Sequence, residues 1–181
     1  LIEMARETGV KLPSYEEDGL NELVFKERYV NLGEYLTGFA YTVGVLQPLE
    51  HLERAAFELA EDSHAEGVRY VEVRFAPQLH VTHATEIGGV VRAVAAGLER
   101  AKKHLNASIP ENDLPFEFGI ILCAMRRFSR QMSPYYERLL SRGKHSSPRY
   151  SYARASLALV KEAVRLRDQA GLPIVGFDLA G

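Results

Sequence analysis

The run Phe116-Glu117-Phe118-Gly119-Ile120-Ile121-Leu122 is too continuously apolar for a strand with one face in water, so it demands cover on both faces. It is the middle member of a rhythm. Pro48 fits the first turn of a helix with the apolar stripe Leu49, Leu52, Ala56, Leu59 and Ala60, stopped by Gly67. The β-branched and aromatic run Val68 to Phe75 follows as a strand, ended by Pro77. A helix from about Thr85 to His104 then precedes a strand over Phe116 to Met125, and a helix from Ser151 to Ala170, capped by Gly171, precedes a third strand over Pro173 to Leu179. Amphipathic helices alternating with apolar strands specify a parallel sheet covered by helices, an α/β fold. Upstream, a helix starting at Asn31-Leu32-Gly33-Glu34 carries Tyr35, Leu36 and Phe39 on one side. The segment from Arg126 to Tyr150, rich in Arg, Ser, Pro and Tyr, reads as a solvated or mobile excursion. No low-complexity linker divides the chain, so residues 1–181 are expected to form one domain.

Composition narrows function by exclusion. With 22 Lys+Arg against 24 Asp+Glu, a net charge of −2, there is no excess of cations to neutralise phosphates, which argues against nucleic-acid binding as the main task. Cys123 is the only cysteine, so an intramolecular disulfide and a zinc site of several thiolates are excluded, and a reducing cytoplasmic compartment is the default. The opening LIEMARETG has no basic or long apolar region, so no signal peptide is expected; no run approaches the ~18 apolar residues of a membrane span. Nucleophile-elbow, dinucleotide-binding and Walker motifs are absent.

In parallel α/β folds ligands gather at the carboxyl ends of the strands, here Arg74 to Ala76, Cys123 to Arg126, and Asp178 to Gly181. Alternation puts Glu72 and Arg74 on one face, where they read as paired ions within the sheet rather than catalytic groups. Asp178, followed by Leu179-Ala180-Gly181, stands either as an acid in a ligand site or as a helix N-cap. Gly181 is either a plain turn residue or a backbone donor to a flat ligand. Of six histidines only His80 and His83 are closely spaced, in a loop with no acidic ligand beside them, so they read as solvated; His51 and His64 read as helix-surface residues, and Cys123 as a small core residue.

Taken together, Tyr70-Val71-Glu72-Val73-Arg74-Phe75-Ala76-Pro77, Ile121-Leu122-Cys123-Ala124-Met125-Arg126 and Gly176-Phe177-Asp178-Leu179-Ala180-Gly181 resemble, in order and spacing, the adenosine deaminase family of metal-dependent (β/α) barrel deaminases. The opening LIEMARETGVKLP is similar to the helix after that family's first strand, and Asn31 to Phe39 to the helix that lids its purine pocket. The resemblance implies a (β/α)8 TIM-barrel type of fold of which about three strands with their helices are present, since 181 residues fall below the ~200 such a barrel needs. It implies a hydrolase of purine nucleotide metabolism that deaminates adenosine or 2'-deoxyadenosine to inosine or 2'-deoxyinosine, with a zinc-activated water attacking C6. By position it carries substrate contact to Gly181, Tyr35, Leu36 and Phe39, and a pocket-wall and a near-metal place to Met125 and Asp178.

The resemblance assigns no catalytic residue and no metal ligand to this segment. The family's His-x-His pair, its third zinc histidine with the catalytic glutamate, and its paired aspartates have no counterpart here, so the chain is expected to be a segment of a longer barrel. Alone it is expected to be inactive, to bind zinc weakly and to self-associate through open sheet edges. The Asp-Leu-Ala-Gly string favours a nucleoside over a free-base substrate. The alternatives are a scaffold or binding module of the same fold, and an adenine or AMP deaminase.

Overall fold

A computed structural model describes residues 1–142 and 147–180, which divide into two compact units, residues 1–51 and residues 52–181. The first holds α1 (Ile2–Thr8), α2 (Glu17–Leu23) and α3 (Leu32–Val45). Met4, Ala5, Leu12, Leu20, Val24 and Val45 are its buried apolar residues. At the start of α3 the Asn31 side chain accepts from the Glu34 N–H at 3.0 Å, while the Glu34 carboxylate accepts from the Val30 N–H at 2.6 Å and from Lys26 at 2.9 Å. These reciprocal bonds satisfy donors that a helix start leaves open. His51 is buried, a correction to its expected surface position. Its Nδ1 lies 2.8 Å from the Val45 carbonyl and its Nε2 2.7 Å from the Glu7 carboxylate, and these polar partners make burial tolerable.

The second unit contains α4 (Leu49–Ala65, nearly all of it in this unit), β1 (Tyr70–Phe75), α5 (Ile87–Asn106), β2 (Glu117–Met125), α6 (Pro134–Arg142), α7 (Pro148–Ala170) and β3 (Ile174–Ala180). On α4, Leu52, Ala56 and Ala60 are buried but Leu59 is exposed, so the apolar stripe is narrower than its sequence spacing. The strands form a sheet in the order β1-β2-β3, parallel at both pairings. Helix and strand boundaries follow the expected rhythm closely. α7 begins three residues before the periodic pattern does, because Ser147 caps it and Pro148 occupies its first turn.

α5 and α7 pack on β2, whose Phe118, Ile120, Leu122 and Ala124 are buried. α5 supplies Val90, Val91, Val94, Leu98 and Ala101 to this core, and α7 supplies Leu159 and Leu166. A Cβ at Gly97 would come within 2.1 Å of the Glu53 carbonyl oxygen, so only glycine lets α5 approach α4 this closely.

Register decides what the other face carries. Arg74 is level with Ile121, and Ile121 with Gly176; Cys123 is level with Asp178 and Met125 with Ala180. Laterally paired residues share a face, so Tyr70, Glu72, Arg74, Gly119, Cys123, Met125 and Asp178 lie together. Between Ile120 and Ile121 the pairing shifts: Ile120 is level with Ile174 but Ile121 with Gly176, which leaves Val175 as one extra residue in β3.

The stretch after β2 is not the solvated excursion its composition suggests. Arg130–Met132 makes a 3-10 turn and Pro134–Arg142 forms α6, placing a fully buried Tyr136 against Phe128 with ring centroids 4.0 Å apart. Tyr152 meets Phe128 edge-on at 5.0 Å. Buried Gln78 ties this cluster to β1's end: its side chain donates to the Ala155 carbonyl at 2.9 Å and accepts from the Tyr136 hydroxyl at 3.2 Å, and its carbonyl accepts from Ser133 at 2.7 Å. Aromatic burial and full satisfaction of an amide outweigh the polarity of the surrounding segment. His145, in the same stretch, lies outside the described residues.

Candidate active site

At the carboxyl end of the sheet the Arg74 guanidinium crosses over β2, and its Nη1 donates to the Asp178 carboxylate at 2.5 Å while lying 3.6 Å from the Cys123 sulfur. Glu72 has a different partner, accepting from the Tyr70 hydroxyl at 2.9 Å; the two charged residues of β1 are thus each paired, but with Tyr70 and Asp178 rather than with one another. Asp178 lies within β3 and caps no helix. The Leu179 backbone N–H, and then Arg74, hold its carboxyl below the usual carboxylate range. Burial pushes the Cys123 thiol up, against the pull of Arg74, so this cysteine is kept as a thiol. Arg74 and Asp178 are about half exposed, with side chains 51% and 46% accessible, on the sheet face opposite the one that packs under α5 and α7.

Met125, half-buried, packs against the Phe128, Tyr136 and Ala155 cluster at the same end of β2. Gly181 lies outside the described residues. His80, expected in solvent, is buried because the 3-10 turn Pro77–Leu79 folds it back, its N–H donating to the Pro77 carbonyl at 3.0 Å; His83 is exposed. His64 is partly covered and meets Phe116 edge-on at 6.1 Å.

In the first unit, α3 presents an aromatic groove of about 120 Å³ lined by Val24, Phe25, Tyr29, Tyr35, Gly38, Phe39 and Thr42. Tyr35 and Phe39 meet edge to face at 5.3 Å, and Tyr29 meets Tyr35 at 5.1 Å. The structure brings these two expected lid residues together; Leu36, on the same helix, is exposed and outside the groove lining. Sequence reading missed Tyr29 and Phe25, whose only signal is that they are aromatic residues preceding the α3 cap.

A three-stranded parallel sheet alternating with helices, its polar groups at the strand carboxyl ends, is a segment of a TIM-barrel type of fold, and deaminases stand among the solved structures it resembles. An ADAL–IMP complex superposes with TM-score 0.63 at 22% identity, covering 100% of this chain and 44% of that one. The apo N6-methyl-AMP deaminase of Arabidopsis thaliana superposes with TM-score 0.61 at 20% identity, covering 99% and 44%. The adenosine deaminase family matches residues 1–147, and the chain belongs to that family. A probable adenosine deaminase of Dictyostelium discoideum is 34% identical over 146 residues, 80% of this chain and 18% of the relative. The adenosine deaminase of Clostridium perfringens strain 13 is 45% identical over 103 residues, 56% of this chain and 31% of the relative. The chain therefore spans less than a third of these curated relatives.

Among the described residues no three of His, Cys, Asp and Glu are grouped to hold a metal ion. These described residues do not by themselves fit a metal site. No described helix is long and apolar enough to cross a membrane.

Proposed function

We propose that this chain belongs to a cytoplasmic enzyme of purine metabolism that hydrolytically deaminates adenosine and 2'-deoxyadenosine, exchanging the C6 amino group for the oxygen of water and releasing ammonia. The observation that carries this reading is the family match over residues 1–147, which includes α3 and β1 to β2 with their charged strand ends. Within one barrel domain, Tyr35, Leu36 and Phe39 are assigned to covering the purine and excluding water from it. Met125 walls the pocket, Asp178 faces the reacting end, and the Gly181 N–H contacts the ring. The aromatic groove around Tyr35 and Phe39 supports the first role, since a flat apolar ring gains most from edge and face contacts with aromatic side chains. Zinc and the groups that move protons are assigned to parts of the family's barrel that this chain does not span.

The test is a comparison of kcat/KM in the intact protein for adenosine, 2'-deoxyadenosine, adenine, AMP and N6-methyl-AMP. Highest values for the two nucleosides support the reading; a preference for AMP or its N6-methyl form moves the substrate to nucleotides, and no turnover of any of them leaves the scaffold reading. Residues 1–181 expressed alone are expected to neither turn over adenosine nor bind stoichiometric zinc, and to self-associate through the edges of β1 and β3. A monomer with turnover would overturn that expectation.

A further inference from the structure

The extra residue Val175 determines where Asp178 points. From the Ile120 and Ile174 pair, uninterrupted alternation would bring Asp178 level with Ala124, on the face buried under the helices. The one-residue shift brings it level with Cys123 instead, on the face that carries Arg74. A bulge that re-aims a side chain beside a strand end is a device associated with sites rather than with packing. The carboxylate so delivered is then gripped from two strands away. Arg74 is level with Ile121, so its side chain must reach across ~10 Å of sheet and ~6–7 Å along it to meet Asp178. Only an extended arginine spans this gap; lysine ends one bond sooner in a single point charge. The middle strand accommodates the crossing with Cys123, a small side chain that lies buried beneath the guanidinium.

We propose that Arg74 is a positioning residue for the deamination, fixing the Asp178 carboxylate, which the β3 bulge turns onto the open face, in one orientation at the reacting end of the sheet. This rests on the function proposed above, and it adds a role for a residue read from the sequence as a plain structural ion.

The experiment is a double-mutant cycle in the intact protein, with Arg74→Gln, Arg74→Lys, Asp178→Asn and the double variant R74Q/D178N. Thermal unfolding is read beside kcat and KM for the best substrate of the wild type. The expected result is a kcat loss of ~10–100-fold for R74Q with KM changed less than ~3-fold and an unfolding midpoint close to wild type. R74K should recover only part of the loss, and the double variant should be no slower than D178N, because the two residues act as one unit. Wild-type turnover with R74Q within ~2-fold in kcat, or multiplicative losses in the double variant, would overturn the positioning role alone. If R74Q unfolds early, R74K decides: full activity in a folded R74K protein would equally overturn it. A wild type that deaminates no purine removes the proposed function itself and, with it, the role given to Asp178.

Discussion

On one face of the sheet Phe118, Ile120, Leu122 and Ala124 are buried, with α5 and α7 packed against β2; on the other, the same strands present Tyr70 with Glu72, and Arg74 with Asp178, to an open surface. Both faces come from the same residues in alternation, yet one is specified by volume and the other by pairing. The buried face tolerates no missing atoms because interiors are close-packed. The open face instead uses long polar side chains that reach laterally, and it keeps room for them with glycine: a Cβ at Gly119 would stand 2.6 Å from a Val175 methyl and 2.9 Å from the Tyr70 hydroxyl.

Substitutions separate the two regimes. Leu122→Ala, on the packed face, is expected to destabilise folding by ~2–5 kcal/mol through the cavity it leaves, read as a lower urea midpoint with unchanged slope. Gly119→Val, on the open face, should cost ~1–3 kcal/mol by overpacking against Val175 and Tyr70; a neutral outcome in the same assay would show that this face yields freely. Tyr136→Phe removes the donor to buried Gln78 and is expected to cost ~1–2 kcal/mol, tested by the same denaturation curves; no loss would mean that the amide finds another partner.

The smallest effect concerns the opposite rim of the sheet, where Arg69 grips Asp113 with two bonds of 2.8 and 2.7 Å. The guanidinium holds Asp113 at about 2 against an ordinary 3.8, with the Leu114 N–H assisting. A depressed carboxyl stabilises the fold above its unfolded value and loses that contribution as pH falls toward 2, so stability should decline over that window. Asp113→Asn should flatten the decline while leaving turnover at neutral pH intact. A matching loss of turnover would mean that the two Arg–Asp pairs, at opposite rims, are not functionally distinct.

The packed face was legible from sequence because burial leaves a local signature. The apolar run Phe116 to Met125 predicts β2 to within one residue of its observed start at Glu117, and the stripe and caps of α5 and α7 follow the same period. The Arg74–Asp178 pair was not, since its members stand 104 residues apart and no local spacing joins them. The bulge was hidden for another reason: strict alternation is what a strand pattern assumes, and the only hint against it was Gly176 within an apolar strand. α6 had a readable signal in Pro134 followed by Tyr136, Leu139 and Leu140 at helical spacing, outweighed by the arginines and serines around it. Of the pocket candidates, Tyr35 and Phe39 were readable as one helix side; their aromatic neighbour Tyr29 precedes the cap, where periodicity ends.

One residue of β3 has the character of a phase marker. Were Val175 to pair with Ile121 instead of bulging, no residue of the chain would change, yet downstream of it inward and outward would exchange. Phe177 and Leu179, which stand level with Leu122 and Ala124, would come level with Cys123 and Met125 on the face that carries Arg74, and Asp178 would come level with Ala124 on the opposite face. The strand's chemistry is therefore written less in which residues it contains than in the one residue its ladder skips.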